Sequence, residues 1–180
     1  MRRLLIGGLG NVLLGDDGVG PYLTRLLAAH YQFESGVELA DLGTPALDLI
    51  EYIGGRDAVI LIDSLKSDAA PGAIQIFRQQ DLICRCPSLR QDTHSGALVE
   101  TLLSIDLFGI TPPHLLLVGI VGKSYTPGCS LSAAVIRSLD GAAAEVLRQL
   151  DRLGIKYQRR MCPLDPGIWW THQLPGSACA

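Results

Sequence analysis

The segment from Leu4 to Tyr31 constrains the fold most. Leu4, Leu5 and Ile6 open an apolar run, and residues 7–20 continue it as Gly7-Gly8-Leu9-Gly10-Asn11-Val12-Leu13-Leu14-Gly15-Asp16-Asp17-Gly18-Val19-Gly20. Residues 21–31 then carry Leu23, Leu26 and Leu27 on one face of a helix. A buried strand, a glycine turn and an amphipathic helix in that order open a β-α unit. Asp16 and Asp17 fall just past the carboxyl end of the strand, the edge at which open α/β sheets bind ligands. Two neighbouring acids in such a place are costly unless a metal, a base or a substrate cation uses them.

The same alternation continues along the chain. Residues 37–42, 58–63 and 115–121 read as further strands, and 58–63 (Ala-Val-Ile-Leu-Ile-Asp) is continuous and apolar, as a central strand buried on both faces should be. Residues 73–78 read as a strand after the Pro71-Gly72 turn, with an antiparallel direction allowed. Helices are expected over 46–53, over 95–103 with Ser95 as N-cap, and over 131–153, in one piece or broken at Gly141. The resulting fold class is α/β, a mainly parallel twisted sheet with helices on both faces. The domain is expected to span 1–157. Residues 158–180, with Pro163, Pro166, Gly167, Trp169, Trp170 and Pro175, read as an irregular C-terminal tail whose tryptophans pack on the domain or dock a partner.

Composition narrows the function. A net charge of -3 supplies no basic footprint, so neither nucleic acid nor an anionic membrane is an expected partner. Arg2-Arg3 followed by an apolar stretch imitates a signal peptide, but Asn11 interrupts it and Asp16-Asp17 stand where small residues should precede cleavage. The apolar run 115–121 is far too short to span a membrane. The 5 cysteines form no paired framework, and Cys84-x-Cys86 lacks redox or zinc spacing, which fits a reducing cytoplasm.

Nucleotide binding fails on spacing. Gly8-x-Gly10 is followed by Leu13 where the dinucleotide fingerprint needs glycine, and Gly122-Lys123-Ser124 has Leu117 where a phosphate loop needs its first glycine. No Gly-x-Ser-x-Gly elbow and no His-Glu-x-x-His helix exists. What remains is a joint placement. Asp17 follows the first strand, Asp63 ends the third, and His94 precedes the helix expected from Ser95, so all three belong to the carboxyl edge of a parallel sheet. Two carboxylates and an imidazole suit a borderline divalent cation such as nickel or zinc and leave positions open. Each residue also has an ordinary reading. Asp17 can cap or complement the following helix, Asp63 can hold a turn with Ser64, His94 can be a loop histidine, and Asp16 reads best as a turn or capping residue.

The opening motif, followed in order by Asp41-Leu42-Gly43-Thr44, Leu61-Ile62-Asp63 with Pro71-Gly72, Thr93-His94 and Val118-Gly119-Ile120-Val121, resembles the hydrogenase maturation endopeptidases over about residues 1–155. The resemblance implies an α/β/α sandwich and a cytoplasmic protease, expected to be a monomer. Its partner would be the precursor of a nickel-iron hydrogenase large subunit, whose C-terminal extension it would remove after nickel insertion. Asp17, Asp63 and His94 match the family's metal-contacting residues, and they would serve both as metal contacts and as the catalytic set. The nickel would be the substrate's own, read as a signal that the centre is complete. Asp17 or Asp63 would be available as general base for water. The alternative is a metal-dependent binding or chaperone-like module on the same scaffold, since a fold does not fix an activity. The tail and Pro45, which follows Gly43-Thr44 where the family turn enters a helix, are departures from the pattern. Loops around Thr44, 64–71 and 84–93 are expected to rim the site and select the substrate.

Overall fold

The structure, a computed structural model, describes residues 3–45, 48–84, 93–128 and 130–171, with the side chains of 82–84, 93–99 and 171 outside that description. Five strands form the main sheet: β1 (Leu4–Leu9), β3 (Val37–Gly43), β4 (Ala58–Leu65), β5 (Ile74–Arg78) and β6 (His114–Val121), in the order β3-β1-β4-β6-β5. All neighbours are parallel except β5, which runs antiparallel to β6. Alternate residues of β1, β4 and β6 face opposite sides of a sheet covered on both, so these strands are apolar over most of their length. Leu4, Ile6, Ile60, Ile62, Val118 and Ile120 enter one core, beneath α1 (Val19–His30) and α5 (Ala133–Arg152). Leu5, Val59, Leu61, Leu65, Leu117 and Val121 enter the other, beneath α2 (Leu49–Ile53) and α4 (Thr93–Leu107). The expected α/β sandwich is therefore the observed one.

Several elements differ from the sequence reading. α4 begins at Thr93, so Ser95 lies inside the helix and is not its N-cap, and His94 stands in the first turn rather than before it. α5 is unbroken at Gly141, where an added Cβ would lie 3.1 Å from Ile74 Cδ1. The close approach to β5 accounts for a residue that otherwise costs a helix about 1 kcal/mol. α5 is capped by Ser132, whose Oγ accepts from the Val135 amide at 3.4 Å. A short helix, α3 (Gln79–Cys84), follows β5.

α1 stops at His30, and Tyr31 opens a three-residue strand β2 (Tyr31–Phe33) that pairs antiparallel with β7 (Tyr157–Arg159). The Tyr31, Phe33 and Tyr157 rings cluster there at 5.9–6.3 Å. The expected boundary at 157/158 falls inside β7. Beyond it the chain has little regular structure but is tied to the domain by the Leu164 amide, which donates to Ala29 O at 3.0 Å. Trp170 is buried, with the Arg25 guanidinium 5.3 Å from its ring centroid, whereas Trp169 is 64% exposed. Among the described residues no helix is long and apolar enough to cross a membrane.

Candidate active site

Close packing of α1 on the sheet builds the carboxyl edge. A Cβ on Gly8 would collide with the Gly20 carbonyl, and a Cβ on Gly20 with the carbonyl oxygens of Leu9 and Ile62. The start of α1 therefore rests directly on the backbone of β1 and β4. Between β1 and α1 the chain makes a 3-10 turn, Gly15–Gly18, that packs against β4. A 3-10 turn rotates about 120° per residue, so consecutive side chains leave it in different directions. That rotation separates the two acids.

Asp16 turns inward and is fully buried. Its Oδ2 accepts the amides of Lys123 (2.7 Å) and Ser124 (3.0 Å), and its Oδ1 accepts the Ser132 amide (2.6 Å). Burial alone would push this carboxyl up. The backbone donors of Ser132, Lys123 and Ser124, joined by the Ser132 hydroxyl, outweigh it and hold Asp16 below its ordinary value. Reading Asp16 as a turn residue captured its place but not its reach, which extends over 116 positions of sequence to the cap of α5.

Asp17 points the other way and is half-buried. Its Oδ2 accepts the Asn11 amide at 2.7 Å, while Oδ1 accepts no hydrogen bond among the described residues. It does not cap α1: the N-cap is Gly18, with no side-chain cap. The close passage of its backbone is why Gly10 must be glycine, since that residue has φ 123° and a Cβ there would strike Asp17 O. Asp63, near the end of β4, accepts the Ser64 amide on Oδ1 at 2.7 Å. The turn with Ser64 thus exists, and it orients the carboxylate without removing it from the edge.

Tyr125, which the sequence did not single out, connects the two acids. Its hydroxyl donates to Leu65 O at 2.7 Å and lies 2.9 Å from Ser64 Oγ. Burial is the largest cause of its raised pKa. The Ser64 and Gly122 hydrogen bonds oppose this, and the charges of Asp17 and Asp63 both add to the rise. Both carboxylates therefore lie within electrostatic reach of one phenol, which stays neutral. The Lys66 ammonium stands 4.8 Å from the ring centroid. Among the described residues no group of three His, Cys, Asp or Glu side chains is placed to hold a metal. Of the three expected residues, Asp17 and Asp63 both act on Tyr125 by charge, and the His94 side chain lies outside the described residues. Two carboxylates, each accepting a backbone amide, fit a divalent cation chemically.

A family model described as hydrogenase maturation protease matches residues 21–149. The chain belongs to the hydrogenase maturation protease family. The match contains Asp63 and His94 and starts downstream of Asp17. Hydrogenase 2 maturation protease of Escherichia coli K12 is 30% identical over 158 residues, covering 86% of this chain and 94% of the relative. HoxM of Cupriavidus necator, a hydrogenase expression/formation protein, is 30% identical over 162 residues, covering 88% of this chain and 80% of its own. Among solved structures, the hydrogenase maturating endopeptidase HybD of E. coli superposes with a TM-score of 0.83 at 28% identity, covering 88% of this chain and 98% of that one. HybD of Thermococcus kodakarensis gives 0.64 at 26% identity, with 83% and 99% covered. The protease is thus a peptidase of hydrogenase maturation, which decides against the non-enzymatic module.

Proposed function

We propose that this protease removes a C-terminal extension from the precursor of a nickel-iron hydrogenase large subunit. It acts in the cytoplasm, as a monomer, after nickel has been inserted. The observation that supports this reading is that the Asp17 and Asp63 carboxylates both stand at the carboxyl edge, each accepting a backbone amide, with the charges of both acting on Tyr125. The substrate's own nickel meets Asp17, Asp63 and His94, which anchors the scissile bond beside them. An oxygen-rich, incomplete ligand set inspects a metal better than it keeps one. Asp17 Oδ1 is the oxygen best placed to accept a proton from water, because Oδ2 already holds the Asn11 amide.

The test is intact-mass analysis of a cognate large-subunit precursor, nickel-loaded or nickel-free, with wild-type protease and with Asp17→Ala. Loss of a C-terminal mass only with nickel, and at least about 100-fold more slowly with Asp17→Ala, is expected. Failure to cleave a verified cognate precursor refutes the proposed substrate. Cleavage by Asp17→Ala at the wild-type rate removes Asp17 from the site.

A further inference from the structure

The Tyr125 hydroxyl has one proton, and the 2.7 Å contact commits it to Leu65 O. At 2.9 Å from Ser64 Oγ, the phenol oxygen must then be the acceptor, so the Ser64 hydroxyl donates to it. A directed chain results, from Ser64 Oγ–H to Tyr125 Oη–H to Leu65 O. It closes a ring around the residue whose backbone amide holds Asp63 Oδ1. The space for this ring is reserved, because a Cβ on Gly122 would strike the Tyr125 hydroxyl and lie 3.0 Å from Ser64 Oγ.

We infer that Tyr125 is a positioning residue of the active site: through Ser64 it fixes the backbone amide that aims the Asp63 carboxylate. The inference rests on the proposed role of Asp63 in proteolysis. Tyr125 touches no reacting atom in this arrangement. Its loop leaves β6 and returns to the end of β4, so it couples the strand carrying Asp63 to a segment that the sheet itself does not hold. Hydrogen bonding explains the choice of tyrosine, since phenylalanine would fill the same volume and supply neither the donor nor the acceptor.

Tyr125→Phe is the decisive variant. Leu65 O keeps the Gly122 amide at 3.0 Å, so no carbonyl is stranded and the fold survives. On a cleavable precursor, kcat is expected to fall about 10-fold with KM unchanged, less than the about 100-fold that a 1 Å misplacement can cost. Ser64→Ala should give a similar loss, and the double variant no more than either single one, because both break the same chain. Wild-type kcat in Tyr125→Phe, or additive losses in the double variant, overturns the inference. An activity-independent readout separates this failure from that of the proposed function. The Ser64 amide resonance should shift and lose exchange protection in Tyr125→Phe, while the Asn11 amide on Asp17 stays in place. A wild-type protease that cleaves nothing, with Ser64 shifting selectively, refutes the substrate proposal and leaves the positioning role standing. An unmoved Ser64 amide overturns the positioning role whatever the activity.

Discussion

Adjacent acids with opposite phenotypes are the sharpest expectation from this structure. Asp16→Ala removes the acceptor of three backbone amides, those of Lys123, Ser124 and Ser132. Hydrogen bonds to a charged group contribute about 1.5–3 kcal/mol each, and the partly exposed Lys123–Ser124 loop lets water recover part of that loss. The expected net destabilisation is about 3–5 kcal/mol. For a chain of this size that lowers Tm by roughly 6–20 °C. Asp16→Asn should cost somewhat less, about 2–4 kcal/mol, because the amide oxygen serves one set of donors while its NH2 confronts the other. The pH dependence follows from the depressed folded value. A carboxyl held low contributes fully above its unfolded value and loses that contribution as pH falls through the folded one. The stability gap between wild type and Asp16→Asn should therefore be widest near neutrality and shrink in acid, from about pH 5 downward. Urea unfolding across pH measures this. Asp17→Ala, losing one half-buried amide contact, should unfold within about 1 kcal/mol of wild type while losing cleavage. Asp16→Ala unfolding like wild type would refute the reasoning, as would a gap that widens in acid.

Gly20→Ala should destabilise by about 2–3 kcal/mol in chemical denaturation despite better helix propensity, because its Cβ meets the backbone of both β1 and β4. Trp170→Ala should lower Tm by roughly 4–12 °C, from about 2–3 kcal/mol of lost packing against α1 and Arg25, and a thermal melt unchanged from wild type would show that the tail is not anchored there.

What the sequence made legible was what both faces of the sheet enforce. β1, β4 and β6 stood out because burial on two sides leaves no polar position to blur the run, and Asp63 marked the end of such a run. The start of α4 was misplaced by two residues because Ser95 is a good cap in isolation, yet the helix begins at Thr93. β2 and β7 are three residues each, too short for a period to show, and depend on an aromatic cluster formed across the chain. The separate fates of Asp16 and Asp17 were illegible for a geometric reason. They follow from the rotation of a 3-10 turn, and nothing in the dipeptide announces which side faces the interior. Tyr125 was missed because its partners are the backbone of Leu65 and a serine distant in sequence. The Gly122-Lys123-Ser124 segment attracted notice only as a failed phosphate loop.

That segment is the physical link between the two halves of the site. Asp17 rides on the 3-10 turn and Asp63 on β4, and the loop after β6 is bonded to both. The Asp16 amide donates to Ser124 O, the Gly15 amide to Gly128 O, and the Gly128 amide to Leu13 O, at 2.7–2.9 Å, while Asp16 itself grips the Lys123 and Ser124 amides. On the other side the Gly122 amide and the Tyr125 hydroxyl both reach Leu65 O. Two like charges brought to one edge repel each other, and the proposed recognition of a substrate cation needs them held in place before that cation arrives. Backbone amides on each acid and a loop clamped to both carriers resist that repulsion. The buried acid next to Asp17 is thus half of the clamp, and Tyr125 is the other half.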